Sequence, residues 1–252
     1  MPQLTSGEFS IVYNFLSFTL AAMFASFIFF ILSRDQVSHK YRGALTLSAL
    51  IVAIACYHYF RIFDNWNSVY TVINDVVTAT GKPFNSAYRY VDWFLTVPLL
   101  VIELIAVLNI AVNKRRGLTA RLVVAAVAMI ALGYPGEVAS DVMTRVIWGS
   151  LSTIPFLYIL YELFIGLSPV IASETGQAKV LICNIRLLLV GTWGFYPIVF
   201  MLPIFVGTQT STAVVWIQVG YCIADVLAKC GYGLMIYAIA KTKTDSEAIA
   251  TS

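Results

Sequence analysis

The chain has 252 residues, of which 60% are apolar and 12% charged, and its formal net charge is +3. A soluble domain of this length has no use for so much apolar surface, so the composition points to one polytopic helical membrane domain. The small net charge offers no footprint for a nucleic-acid partner. No metal-ligand cluster and no nucleophile–base pair is visible, which argues against an enzyme and against a bound metal. Cys56, Cys183, Cys222 and Cys230 fall in or near apolar stretches without paired spacing and read as small core residues. The first ten residues carry no basic region and the first apolar run is too long for a signal-peptide core, so no secretory signal is expected.

Seven apolar stretches follow one another, at about 9–33, 43–60, 84–112, 118–135, 146–168, 187–208 and 213–240. Each is near the length of about 20 residues that a transmembrane helix needs. The fourth is interrupted early by Arg121. Between the second and third, residues 69–80 alternate apolar and polar around Asn74 and Asp75, which predicts a short external β-hairpin. The fold class expected is an all-α seven-transmembrane-helix bundle forming one domain over 1–252. Eleven basic residues (Arg34, Lys40, Arg42, Lys114, Arg115, Arg116, Arg121, Lys179, Arg186, Lys241 and Lys243) lie in alternate connections and the C-terminal tail. Only Arg61, Lys82 and Arg145 lie on the opposite side. The positive-inside rule then places the N-terminus outside and the C-terminus in the cytoplasm of a multi-pass membrane protein.

Charges inside the spans carry the functional signal. Lys229 and Asp225 are the only charged residues in the apolar stretch 213–240, and each costs about 2.5–3.5 kcal/mol to insert. At i and i+4 they share a helix face, about 6 Å apart along the axis. A lysine so placed neutralises, finds a counter-ion or is consumed as a Schiff base, while the plain alternative is a salt bridge locking two helices. In the third span, Asp92, Thr96 and Glu103 fall on one stripe, with Asp92 and Glu103 about 16 Å apart and Arg89 nearer the outside. Such a series across the bilayer reads as a proton relay or ion path. His58 lies at about the depth of Asp92, either as a hydrogen-bonded core residue or as a partner sharing the carboxylate's proton. His39 reads as solvated, and Glu162 as snorkelling to the interface.

Three segments in order, Arg89-Tyr-Val-Asp-Trp-Phe-Leu-Thr-Val-Pro98, Trp193-Gly-Phe-Tyr-Pro197 and Asp225-Val-Leu-Ala-Lys229, tie these residues together. With them the chain resembles the microbial (type 1) rhodopsins, in particular the xanthorhodopsin/proteorhodopsin branch of light-driven proton pumps. The resemblance implies all-trans retinal bound covalently to Lys229 as a Schiff base. It makes Asp92 the primary counter-ion and proton acceptor, Asp225 the second counter-ion and Arg89 their positive partner. Asp92, Thr96 and Glu103 match the outward-pump triplet, with Glu103 the cytoplasmic proton donor, and His58 matches a histidine that contacts the acceptor. Trp93, Trp193, Tyr196 and Pro197 match the aromatic box around the polyene, and Met129, Gly133, Trp148 and Ser152 match further pocket positions.

Leu100 occupies the position where proteorhodopsins change colour, and leucine there implies green absorption. Gly149 matches the small residue of carotenoid-binding xanthorhodopsins. A hydroxylated carotenoid lying against a window at Gly149 is therefore a candidate second chromophore. The resemblance departs at Phe200, where the haloarchaeal pump has tryptophan, and in lacking that pump's paired external glutamates. Membrane lipids, transported protons and further copies of the chain are the partners expected. The competing readings are a photosensory rhodopsin signalling to a transducer, a light-gated channel, and a retinal-free receptor or secondary transporter.

Overall fold

The computed structural model describes residues 1–73, 76–139, 141–206 and 210–251. Among them, seven helices are long and apolar enough to cross a membrane. These are α1 (Ser6–Ser33), α2 (Arg42–Val69), α3 (Ala87–Val107) and α4 (Val112–Glu137). Helix α5 runs over Val142–Tyr161, passes through a π-turn at Glu162–Gly166 and ends in Ser168–Ala172. Helix α6 is made of Gly176–Trp193 and Phe195–Val206. Helix α7 is made of Ser211–Asp225, a π-turn at Val226–Gly231, and Tyr232–Thr251. At 28 residues, α1 is about 42 Å long, which matches a bilayer with its headgroup regions.

Most helices outrun the apolar stretches that announced them. Helix α2 continues past residue 60 through Arg61, Asp64 and Asn65, and α6 begins at Gly176, well before residue 187. Hydropathy marks where a helix crosses hydrocarbon, whereas Arg, Lys and Gln are good helix formers that carry it on into the headgroups. Helix α3 is the exception, starting at Ala87 and stopping at Val107, where Leu108 turns extended. The hairpin is present: β1 (Tyr70–Ile73) pairs antiparallel with β2 (Val76–Ala79), Tyr70 opposite Ala79. The turn predicted at Asn74 and Asp75 lies outside the described residues.

Large apolar side chains cover the outside of the bundle: Phe18 is 59% exposed, Val124 67%, Leu187 63% and Phe205 77%. Contiguous apolar exposure of this kind is stable only against lipid. Inside, one apolar cluster joins α2 through α7, and a second joins α1, α2 and α7 to the hairpin. Trp66 anchors the second, stacked on Phe9 at 5.9 Å and tilted against Tyr70 at 4.9 Å. At the start of α5, Asp141 caps the helix by accepting from the Thr144 backbone N–H at 2.7 Å. That bond holds its carboxyl below the usual range. The breaks in α6 and α7 both border the centre of the first cluster. Pro197 has no N–H to offer Trp193, and the helix turns at Gly194, where a Cβ would meet the Val190 carbonyl at 2.7 Å.

Candidate functional site

Lys229 stands in the π-turn of α7, 2% exposed, with its ammonium between two carboxylates. Nζ lies 2.6 Å from Asp225 Oδ1 and 3.0 Å from Asp92 Oδ2. The two acids are held unequally. Asp225 accepts from Tyr59 at 2.7 Å, from the Trp93 indole N–H at 3.2 Å, and from the Tyr196 hydroxyl. Asp92 has the ion pair with Lys229 and, among the described residues, no hydrogen-bond partner on either oxygen. Protonating Asp225 would therefore weaken three charge-assisted hydrogen bonds as well as its pairing with Lys229, whereas protonating Asp92 would weaken only its pairing with Lys229.

The stripe predicted on α3 is intact, with Arg89 2% exposed, Asp92 1%, and Thr96 and Glu103 0%. Arg89 donates to Gln218 at 2.6 Å and lies 5.0 Å over the Tyr221 ring, on the outer side of the ion pair. The Thr96 hydroxyl is turned onto the Asp92 backbone carbonyl at 2.8 Å. Glu103 sits about 16 Å along α3 from Asp92 and accepts from Ser48 of α2 at 2.8 Å. Leu100 and Val101 are buried between the two depths.

His58 departs from expectation. Its Nδ1 has no hydrogen-bond partner among the described residues, and it makes no bond to Asp92. The next residue, Tyr59, is the one bonded to Asp225, and His58, a step of about 100° round the helix, is buried with its ring 5.3 Å from that of Tyr57. Glu162 also differs: it pairs with Arg121 at 3.3 Å and accepts from Tyr158 at 2.7 Å.

From Lys229 an apolar cavity extends between α3, α4, α5 and α6. It is lined by Trp93, Leu100, Met129, Gly133, Ser152, Trp193, Tyr196 and Pro197, all expected there. The donor set fits a conjugated, aldehyde-derived group: one amine at the end of an aromatic slot, with counter-ions for the positive nitrogen such a linkage creates. Gly133 lines the slot beside Ser152 and Tyr90, and a Cβ there would stand in ordinary contact with Ser152 Oγ at 3.4 Å and Tyr90 Cε1 at 3.5 Å.

Two α5 residues behave differently from expectation. Trp148 is not among the lining residues. The lining stripe is Gly149, Ser152, Thr153 and Phe156, and Trp148, one residue before it, lies against Gly136 of α4. Gly149 does line the cavity, but the space its missing side chain frees is taken by Phe200, whose Cε1 is 2.8 Å from where a Cβ would stand. Arg145 holds Phe200 there by donating to its carbonyl at 3.0 Å and lying 4.9 Å over its ring.

Some site residues gave no usable signal in the sequence. Tyr59 and Tyr221 look like ordinary aromatic residues of apolar helices, and Ser48 lies 55 residues from the glutamate it meets. Gln218 was visible as a polar residue in an apolar stretch and marks the Arg89 contact. At the cytoplasmic end, buried Lys243 bonds Glu174 at 2.5 Å and the Val107 carbonyl at 2.9 Å, tying α7 to α3 and to the connection between α5 and α6.

The sequence model of bacteriorhodopsin-like proteins matches residues 12–243. The green-light absorbing proteorhodopsin of the gamma-proteobacterium EBAC31A08 is 30% identical over 233 residues, covering 90% of this chain and 86% of the relative. The blue-light absorbing proteorhodopsin of the gamma-proteobacterium Hot 75m4 is 31% identical over 222 residues, covering 87% and 82%. Among solved structures, xanthorhodopsin, described as a light-driven ion pump with dual chromophore, superposes at a TM-score of 0.95 with 51% identity over 98% of this chain and 99% of that one. A thermophilic rhodopsin superposes at 0.94 with 47% identity and the same coverage.

Proposed function

We propose, from the premise that this chain belongs to the bacteriorhodopsin-like family, that it carries all-trans retinal on Lys229 and moves protons outward past that residue. The protein is a light-driven proton pump of the cell membrane, a multi-pass transporter rather than an enzyme. The observation that carries our assignment of roles is the unequal footing of the two acids: Asp225 is fixed by three donors and Asp92 by the ion pair alone. When bound, retinal supplies light absorption and a change of shape at its point of attachment.

The protein's residues do the rest. Asp225 and Asp92 hold the positive charge at the Lys229 nitrogen in the dark. Asp92 takes the proton from that nitrogen on the outer side, since its negative charge has the fewest competing donors. Arg89, held by Gln218 and Tyr221, lies on the exit side as a cation that responds when Asp92 becomes neutral. Glu103 returns a proton to Lys229 from the cytoplasmic side, and Ser48 orients its carboxyl. The buried Leu100 and Val101, between Asp92 and Glu103 along α3, keep the two sides apart until α6 moves about its break at Gly194 and Pro197. His58 joins the proton exchange only if its ring turns towards Asp92. Each proton carried out against 100 mV stores about 2.3 kcal/mol.

The direct test is illumination of unbuffered cells making the protein with added retinal. The medium should acidify, and a protonophore should abolish the signal. Alkalinisation that grows with protonophore would mean that another ion moves. Glu103→Gln should keep the pigment and slow its recovery roughly 100-fold, the usual size of a lost general acid. A small weak acid such as azide should restore the rate. Recovery at the normal rate across pH would remove Glu103 as donor.

A second chromophore belongs to the same reading. Gly149 and Phe200 form the cavity wall nearest the lipid-facing side of α5, and xanthorhodopsin, with its dual chromophore, is a relative. A hydroxylated carotenoid fits this wall, with its polar ends at the two bilayer interfaces and Phe200 turned aside. Incubation with one should give a structured blue band with induced circular dichroism. Gly149→Trp should eliminate both signals, and Phe200→Ala should retain them. Absence of both signals in the unmodified protein would leave retinal as the sole chromophore.

A further inference from the structure

A groove of about 650 Å³ runs between α4 and α5 and shares no lining residue with the cavity at Lys229. Its floor is built of small groups, Ala125 and Ala128 of α4 beside Pro155 of α5. Its rims are lipid-facing: Val124 is 67% exposed, Leu151 40% and Ile154 64%. Small residues where two membrane helices meet leave such a trough on the outer face of the pair.

One end of the groove is charged. Arg121 lies one turn inside the apolar stretch 118–135, yet its side chain is 57% exposed. Its Nε donates to Tyr158 at 2.9 Å, Nη2 faces Glu162 Oε1 at 3.3 Å, and Nη1 lies 3.6 Å from where a Cβ on Gly117 would stand. Lys114 precedes it by about two turns on the same face of α4, and Arg115 and Arg116 add to the charge. Among the described residues, Glu162, 12% exposed, is the carboxylate paired with Arg121 at this end, and the basic residues outnumber it. From Arg121 to Leu132 the groove runs about 16 Å along the helix, the depth of one leaflet of a 30 Å hydrocarbon core.

We propose that this groove holds one acyl chain of a cytoplasmic-leaflet phospholipid with an anionic headgroup, whose phosphate meets Arg121 and Lys114. Glu162 already faces Arg121, but Lys114, Arg115 and Arg116 leave the cations in excess at this end, and that excess selects an anionic headgroup over a zwitterionic one. A second copy of the chain suits the groove less well, because it would bury Arg121 against a lipid-facing apolar helix.

The test is native mass spectrometry of the retinal-loaded protein released from vesicles of equal phosphatidylglycerol and phosphatidylcholine with identical chains. One phosphatidylglycerol should be retained with a preference of roughly tenfold, the scale expected of one or two surface cations. Arg121→Gln should bring the preference close to one, and Ala128→Phe should remove the retained lipid of either kind. Val124→Trp, which narrows the groove from an exposed rim, should do the same if Ala128→Phe fails to fold. The visible band reports folding, since none of these residues lines the retinal cavity. Equal retention of the two lipids by the unmodified protein, or an undiminished preference in Arg121→Gln, would overturn the proposal. Retention of a second copy of the chain that Ala128→Phe dissociates would also overturn it.

Discussion

Replacing Lys229 with alanine is expected to remove the visible pigment completely. Among the described residues, Lys229 is the only lysine lining the retinal cavity. The other buried lysine, Lys243, is engaged with Glu174 and Val107 at the cytoplasmic end. The change also leaves Asp92 and Asp225, 1% and 0% exposed, without the cation between them. Removing one partner of a buried ion pair typically costs about 3–5 kcal/mol. Stability should therefore fall as well, and far-ultraviolet circular dichroism is needed to show that helices remain. Lys229→Arg keeps the positive charge but forms no Schiff base under these conditions, so it should be better folded and equally colourless. In the unmodified protein, borohydride reduction followed by peptide mass mapping should place retinal on Lys229. A visible band in Lys229→Ala, with the adduct on another lysine, would end the assignment.

Much of this was legible because a membrane makes polar residues expensive. Lys229, Asp225, Asp92 and Glu103 each stand out against an apolar background, and helical geometry alone put Asp92, Thr96 and Glu103 on one stripe. The seven crossings and the hairpin were equally plain, since both rest on local periodicity. What periodicity does not carry is the rotation of one helix against its neighbours. That is why Tyr59 rather than His58 bonds Asp225, and why Gly149 rather than Trp148 lines the cavity. A one-residue difference on a helix is about 100° of direction, and no feature of α2 or α5 alone distinguishes the adjacent positions. Pairings between distant helices, such as Ser48 with Glu103 and Arg145 with the Phe200 carbonyl, were hidden for the same reason. The closing of Gly149 by Phe200 is another case, in which a missing side chain on α5 is answered by a ring on α6.

The two carboxylates beside Lys229 should separate sharply when each is made neutral. Asp92→Asn is expected to keep a pigment, because Asp225 remains bonded to Lys229 at 2.6 Å with its three donors in place. The band should move to the red, since one of the two negative charges that favour the dark-state positive nitrogen is gone. Transport should fall to background, because the amide in place of Asp92 takes no proton. Asp225→Asn acts on a different feature: its amide oxygen can still accept from Trp93 and Tyr196, but the charge that strengthens those bonds is gone and the amide NH2 faces Tyr59, which is left with the Tyr221 carbonyl. Hydrogen bonds to an ionised carboxylate are about twice as strong as those to a neutral amide. The thermal loss of pigment should therefore be larger for Asp225→Asn than for Asp92→Asn, while Asp92 can still accept a proton. The measurements are the visible spectrum, the pigment half-life on heating, and light-induced acidification for both variants. Persistent acidification by Asp92→Asn, or a red shift and transport loss found in Asp225→Asn alone, would exchange the roles of the two acids.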